Sequence, residues 1–146
     1  MGIDIKELRI GNHIICNGVR AKVVDLQTCR FGNKTALHIS VMGISPQTGE
    51  EKIVGAMADS DYIQPIPITE DLLTELGFEI RPFKYLLKAE KYLSGYDEIV
   101  MLERLKGEDK FEVYIYLAKE ETHKTHLKYL HELENFVFMT TKKEMI

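Results

Sequence analysis

The stretch Ile63-Gln-Pro-Ile-Pro-Ile-Thr-Glu-Asp-Leu-Leu-Thr-Glu-Leu-Gly-Phe78 marks a change of architecture. Pro65 and Pro67 fix φ, lack N–H donors and push Gln64 and Ile66 toward extended backbone. Thr69 then stands where a helix N-cap belongs, and Glu70 and Asp71 suit the positive end of the helix dipole. Leu72, Leu73 and Leu76 form an apolar stripe, and Gly77 supplies a left-handed stop. A β-rich first half thus hands over to a helix that opens a second half.

Upstream, His13–Cys16 and Val19–Leu26 flank Asn17-Gly18, a strong short hairpin signal. From Thr35 to Met42, Leu37, Ile39 and Val41 alternate with His38, Ser40 and Met42, which predicts a third strand. Turn residues at Ser45–Gly49 separate it from a fourth strand at Glu51–Val54, and Tyr62–Ile66 can form a fifth. A short helical turn is expected at Asp4–Leu8, with Ile10 starting the core and Gly11-Asn12 turning the chain into its first strand. Short strands with tight turns predict a small, partly open, SH3-like β-barrel over residues 1–66.

Downstream, Phe83–Ala89 is ambiguous between strand and helix. Glu98–Leu105 and Lys110–Leu117 read as a β-hairpin, with Phe111, Val113, Ile115 and Leu117 on one face and Glu112, Tyr114 and Tyr116 on the other. His126–Met139 reads as a helix with Leu127, Leu130, Leu133 and Val137 as its buried stripe, capped by Thr122 or Thr125. The expected fold class is therefore α+β: an SH3-like subdomain at 1–66 followed by an α-β-β-α subdomain at 67–146.

Charge and composition narrow the function classes. The 146 residues carry a formal net charge of −4. Residues 1–66 hold 7 basic and 7 acidic side chains, so the imbalance lies wholly in the second half, with 12 basic against 16 acidic. That argues against strong non-specific binding to nucleic acid or an anionic membrane. Cys16 and Cys29 do not form a disulfide framework, and Cys16 reads as a small core residue. Met1–Glu7 has no apolar signal-peptide core, and no apolar run is long enough to span a bilayer, so a cytoplasmic protein without membrane contact is expected.

Candidate chemistry is sparse. His123, His126 and His131 invite a metal reading, but His131 lies five residues beyond His126 and no cysteine or carboxylate set completes a site. Asp59/Asp61, Glu120/Glu121 and Glu132/Glu134 are adjacent acids of the kind that solubilise turns and helices. No phosphate-loop, dinucleotide or nucleophile-elbow pattern occurs. No catalytic residue, metal or cofactor is expected, and the reading leans to a non-enzymatic protein. Two interaction sites remain. Arg20, Lys22, Arg30 and Lys34, with Phe31 among them, form the one local basic cluster and could hold nucleic acid on the barrel. Tyr114 and Tyr116 on the outward hairpin face, with His131 and Asn135 four apart on one helix face, point to a protein partner.

Three blocks carry a resemblance over nearly the whole chain: Leu8-Arg-Ile-Gly-Asn12, the Pro65–Phe78 block, and Tyr129-Leu-His-Glu-Leu-Glu-Asn-Phe-Val-Phe138. In that order they resemble a group of small proteins of gut bacteria and their prophages or mobile elements, to which no activity is assigned. In that group the last block tends to read His-Gln-Leu-Gln-Asn, whereas Glu132 and Glu134 stand here. The resemblance implies a small cytoplasmic accessory protein and brings no catalytic residue. An adaptor that binds another protein is the first expectation, and a nucleic-acid-binding module the second.

Overall fold

The computed structural model describes residues 3, 7–31, 34–44, 49–57, 63–94, 98–118 and 120–145, with backbone alone at 28–31, 34–38, 44, 56–57 and 94. The chain divides into two compact units, Met1–Ile66 and Pro67–Ile146. Each is built on an antiparallel sheet of five strands.

In the first unit, β1 (His13–Cys16) turns through Asn17 and Gly18 into β2 (Val19–Phe31). Both turn residues have positive φ, 50° and 79°, as the two-residue hairpin requires. β3 (Lys34–Ile44), β4 (Glu51–Met57) and β5 (Ile63–Gln64) complete the order β4-β3-β2-β1-β5. A bulge between Val23 and Asp25 resets the alternation of β2. Val23 and Leu26 therefore both turn toward the core, where Ile14, Ile39, Val41 and Ile63 are buried.

The Leu8–Asn12 block is a backbone knot. Asn12 is fully buried, and its Oδ1 accepts from the Arg9 N–H at 2.7 Å. The Asn12 N–H donates to the Arg9 carbonyl, and the Asn12 carbonyl accepts from Val23. Ile10 does not start the core, as its sequence position suggested. It is 53% exposed because this turn points it outward, and Leu8 is buried instead. The turns expected at Asp4–Leu8 and Ser45–Gly49 fall mostly outside the described residues.

The second unit begins with Pro67 bridged to Tyr129 and the Ile68 N–H donating to the Lys128 carbonyl. α1 (Glu70–Glu75) follows, with Thr69 as N-cap accepting from the Leu72 N–H at 3.2 Å. Gly77 ends it with φ of 87°. Then come β6 (Glu79–Pro82), β7 (Leu86–Ser94), β8 (Glu98–Leu105), β9 (Phe111–Leu117), β10 (Glu120–Leu127) and α2 (Leu130–Thr141). The strands form a meander in the order β10-β9-β8-β7-β6.

The expected α-β-β-α order is thus corrected to two helices around five strands. Phe83–Ala89 resolves into a loop and the start of β7. The second helix starts at Leu130 rather than His126, because Glu120–Leu127 is a strand paired to β9. Its cap is neither Thr122 nor Thr125. Glu132 Oε1 accepts from the backbone N–H groups of Tyr129 (2.9 Å) and Lys128 (3.2 Å), so an acid at this position satisfies two open donors at the helix start.

One face of this sheet is the unit's core. Leu87, Ala89, Val100, Leu102, Phe111, Val113 and Ile115 are buried there, and the helices bury Leu72, Leu73, Leu130, Leu133 and Val137 together with the polar His131 and Glu134. Lys91 lies on this face too. Its ammonium donates to the carbonyls of Leu76 and Met145, and burial pushes its pKa down.

Candidate interaction surface

The other face of the second sheet carries polar, aromatic and aliphatic side chains together. Directly opposed residues of an antiparallel pair point to the same side, so the register defines rows across the sheet. One row runs Glu79, Glu90, Met101, Tyr114, Lys124. A second runs Arg81, Lys88, Glu103, Glu112, His126, and a third Tyr92, Ile99, Tyr116, Glu121. Tyr92 is 46% exposed, while Ile99, Met101, Tyr114 and Tyr116 are half-buried.

Each of the three lysine and arginine side chains on this face is paired with a carboxylate. Arg81 pairs with Glu90 at 2.9 Å, Lys88 with Glu103 at 3.4 Å, and Lys124 with Glu112 at 2.6 Å. Pairs this exposed add little stability, but they fix side-chain directions. The Lys124 ammonium also lies 5.3 Å over the Tyr114 ring. Partial burial, then the Glu112 carboxylate hydrogen-bonded to its phenol, push the Tyr114 pKa up to about 12. Tyr114 is thus a neutral hydroxyl across the physiological range, held between an acid and a cation.

Tyr114 and Tyr116 share the outward face, joined by Tyr92, Ile99 and Met101. Those three escaped the sequence reading because register between β7, β8 and β9 is a tertiary property. The alternation in Glu98–Leu105 did hold the signal that Ile99 and Met101 lie together. Asn135 is half-buried on α2. His131 is 1% exposed, with its ring stacked on Tyr129 at 6.0 Å and 13°. Its place is in the core, so it does not present itself to a partner.

In the first unit, Arg20 and Lys22 are exposed, and Lys22 stands opposite His13 and Met42. Arg30 pairs with Thr35 and Phe31 with Lys34 near the far tip of the same hairpin. The side chains of Arg30, Phe31 and Lys34 lie outside the described set. Arg30 lies eight steps along the strand from Lys22, roughly 25 Å. Among the described residues β4 pairs with β3 over His38–Ile44, and the rest of the β2–β3 hairpin extends beyond that pairing. The backbone positions of Arg20 and Lys22 and those of Arg30 and Lys34 thus lie at different levels of the hairpin.

Burial pushes the Cys16 thiol pKa up, the opposite of what a nucleophile needs. His123 and His126 are exposed on β10, and no group of metal-ligating side chains occurs among the described residues. No described helix is long and apolar enough to cross a membrane.

No protein-family model matches the chain, and no curated protein sequence does. Among solved structures, the chain is similar to eukaryotic translation initiation factor 5A from Methanococcus jannaschii, at a TM-score of 0.33 and 16% identity over 89% of this chain and 96% of that one. It is similar also to a translation initiation factor eIF-5A family protein from Naegleria fowleri, at a TM-score of 0.34 and 10% identity over 86% of this chain and 97% of that one. Likeness at this level carries no inference about activity.

Proposed function

We propose that this chain is a cytoplasmic accessory protein, of the kind carried by prophages and mobile elements, that docks a protein partner on the outward face of its second sheet. The observation that carries the reading is the strip of Tyr92, Ile99, Met101, Tyr114 and Tyr116 framed by cross-strand ion pairs. Aromatic and aliphatic side chains in fixed directions supply the desolvated centre that protein interfaces need. The charged frame is internally paired, which suits a mixed-charge protein surface better than a row of phosphates. The separation of Arg20 and Lys22 from Arg30 and Lys34 weighs against the first sheet as a nucleic-acid face. In the first unit, the return of β5 to pair with β1 supports an SH3-like barrel as its finer description.

The test is capture from host lysate at moderate salt with wild type and a Tyr114→Ala/Tyr116→Ala variant. A specific partner should be retained by the wild type and lost by the variant, with a loss of affinity of about 30-fold or more. Equal retention by a variant whose melting temperature is unchanged would remove the face from the account.

A further inference from the structure

We infer that the loop end of the second sheet is a second binding site, for single-stranded nucleic acid, with Phe83 as a stacking platform and Lys84, Arg104 and Lys106 as phosphate partners. It is distinct from the tyrosine face and rests on different side chains.

The site is built by two adjacent connections. Phe83–Tyr85 joins β6 to β7, and Lys106–Lys110 joins β8 to β9. Backbone hydrogen bonds lock them: Phe83 N–H to the Leu86 carbonyl at 2.7 Å, Lys106 N–H to the Tyr85 carbonyl at 3.0 Å, and Glu108 N–H to the Leu105 carbonyl at 3.1 Å. A cavity of about 410 Å³ opens there, lined by Phe83, Lys84, Arg104 and Lys106 together with Glu70 and Glu108. Loops tied in this way lose little further freedom when a ligand arrives.

Two features meet at this end. Phe83 and Tyr85 are 57% and 68% exposed, and Phe83 has no polar atom to justify contact with water. The cations also differ. Arg81, Lys88, Lys124 and Lys128 each hold a carboxylate within 4 Å. Lys84, Arg104 and Lys106 hold none among the described residues. The Lys84 ammonium lies 5.3 Å over the Tyr85 ring, and that of Lys88 lies 5.9 Å over the Phe83 ring, so a base would stack on the other face of Phe83. Arg104 is positioned by its guanidinium, 4.7 Å over the Phe111 ring.

Unpaired cations beside an exposed aromatic ring complement a strand whose phosphates need charge and whose bases need a flat apolar surface. Glu70 and Glu108 disfavour a dense polyanion such as a duplex, but they can accept hydrogen bonds from the amino groups of unpaired bases. The −4 of the second half also excludes long-range attraction, so binding must depend on these local contacts. Neutralising three phosphates on a single strand gives a modest salt slope, about 20-fold loss of affinity from about 50 to about 200 mM salt.

The experiment is fluorescence anisotropy of the full chain with a short labelled single-stranded RNA, the same strand annealed to its complement, and a labelled polyglutamate peptide. The single strand should bind more tightly than the duplex. Phe83→Ala should weaken it about 10-fold, and Lys84→Glu/Lys106→Glu should abolish it. Tyr114→Ala/Tyr116→Ala should leave it unchanged, which separates this site from the docking face. These side chains are exposed, and circular dichroism checks that the variants fold. No binding at low salt would overturn the inference, as would binding indifferent to both loop-end variants. Preference for polyglutamate over RNA would overturn it as well, by assigning this end to an acidic protein.

Discussion

Tyr114 shows how one side chain reports on its surroundings. Its folded pKa of about 12 stands above the usual value of 10 for a tyrosine. A group whose folded pKa is raised contributes stability that is present below its unfolded pKa and lost as pH climbs through the folded one. Stability should therefore fall between about pH 10 and about pH 12, and Tyr114→Phe should flatten part of that fall. Absorbance near 295 nm should show a phenol titrating near pH 12 in the wild type that is missing from Tyr114→Phe; identical titration curves would contradict the assigned environment. Asn12 is the second residue-scale case. Its amide oxygen satisfies the Arg9 N–H from a fully buried position, so Asn12→Ala should cost about 1–3 kcal/mol, read from chemical denaturation. Both residues were conspicuous in the sequence, Tyr114 by alternation and Asn12 by its place in a turn. Alternation also put Glu112 beside Tyr114, but Lys124 reaches the ring only through the pairing of β9 with β10, and the Arg9 N–H meets Asn12 only in the folded turn. His131 misled for the same reason: spacing on a helix face does not tell which face is covered.

Elements were legible where a face is buried. The β1–β2 hairpin, β3, β8, β9 and α1 all show apolar alternation or a clear cap, and each stands close to where the sequence placed it. β10 was not legible. Of Glu120–Leu127 only Leu127 is buried, so an edge strand with both faces in water leaves no period of two to read. Its residues merged into the helix that follows. β6 is four residues long and ends at Pro82, again too short and too exposed to mark itself. The helix caps can be tested directly. Thr69→Ala removes the acceptor for the Leu72 N–H and should destabilise by about 1 kcal/mol. Glu132→Ala should cost a similar amount, while Glu132→Gln keeps an acceptor and should cost less. Thermal melts of the two Glu132 variants decide this, and equal losses would show that charge rather than hydrogen bonding sets the cap.

At the scale of the whole molecule, two separate sheets divide the chain at the proline block. Pro67 and Ile68 pair with Tyr129 and Lys128, so the block opens the second unit as well as ending the first. A fragment spanning residues 67–146 should therefore show a β-rich circular dichroism spectrum and a cooperative melt; a disordered fragment would show that the second unit depends on the first. On the proposed function, the face carrying Tyr92, Ile99, Met101, Tyr114 and Tyr116 meets a protein. The most direct measurement places a photo-reactive residue at Ile99, in the middle of that face, and another at exposed Met139 on α2 as a control, followed by irradiation in host cells. A discrete adduct from Ile99 with none from Met139 is the predicted result. No adduct from Ile99, or the same adducts from both positions, would contradict the account.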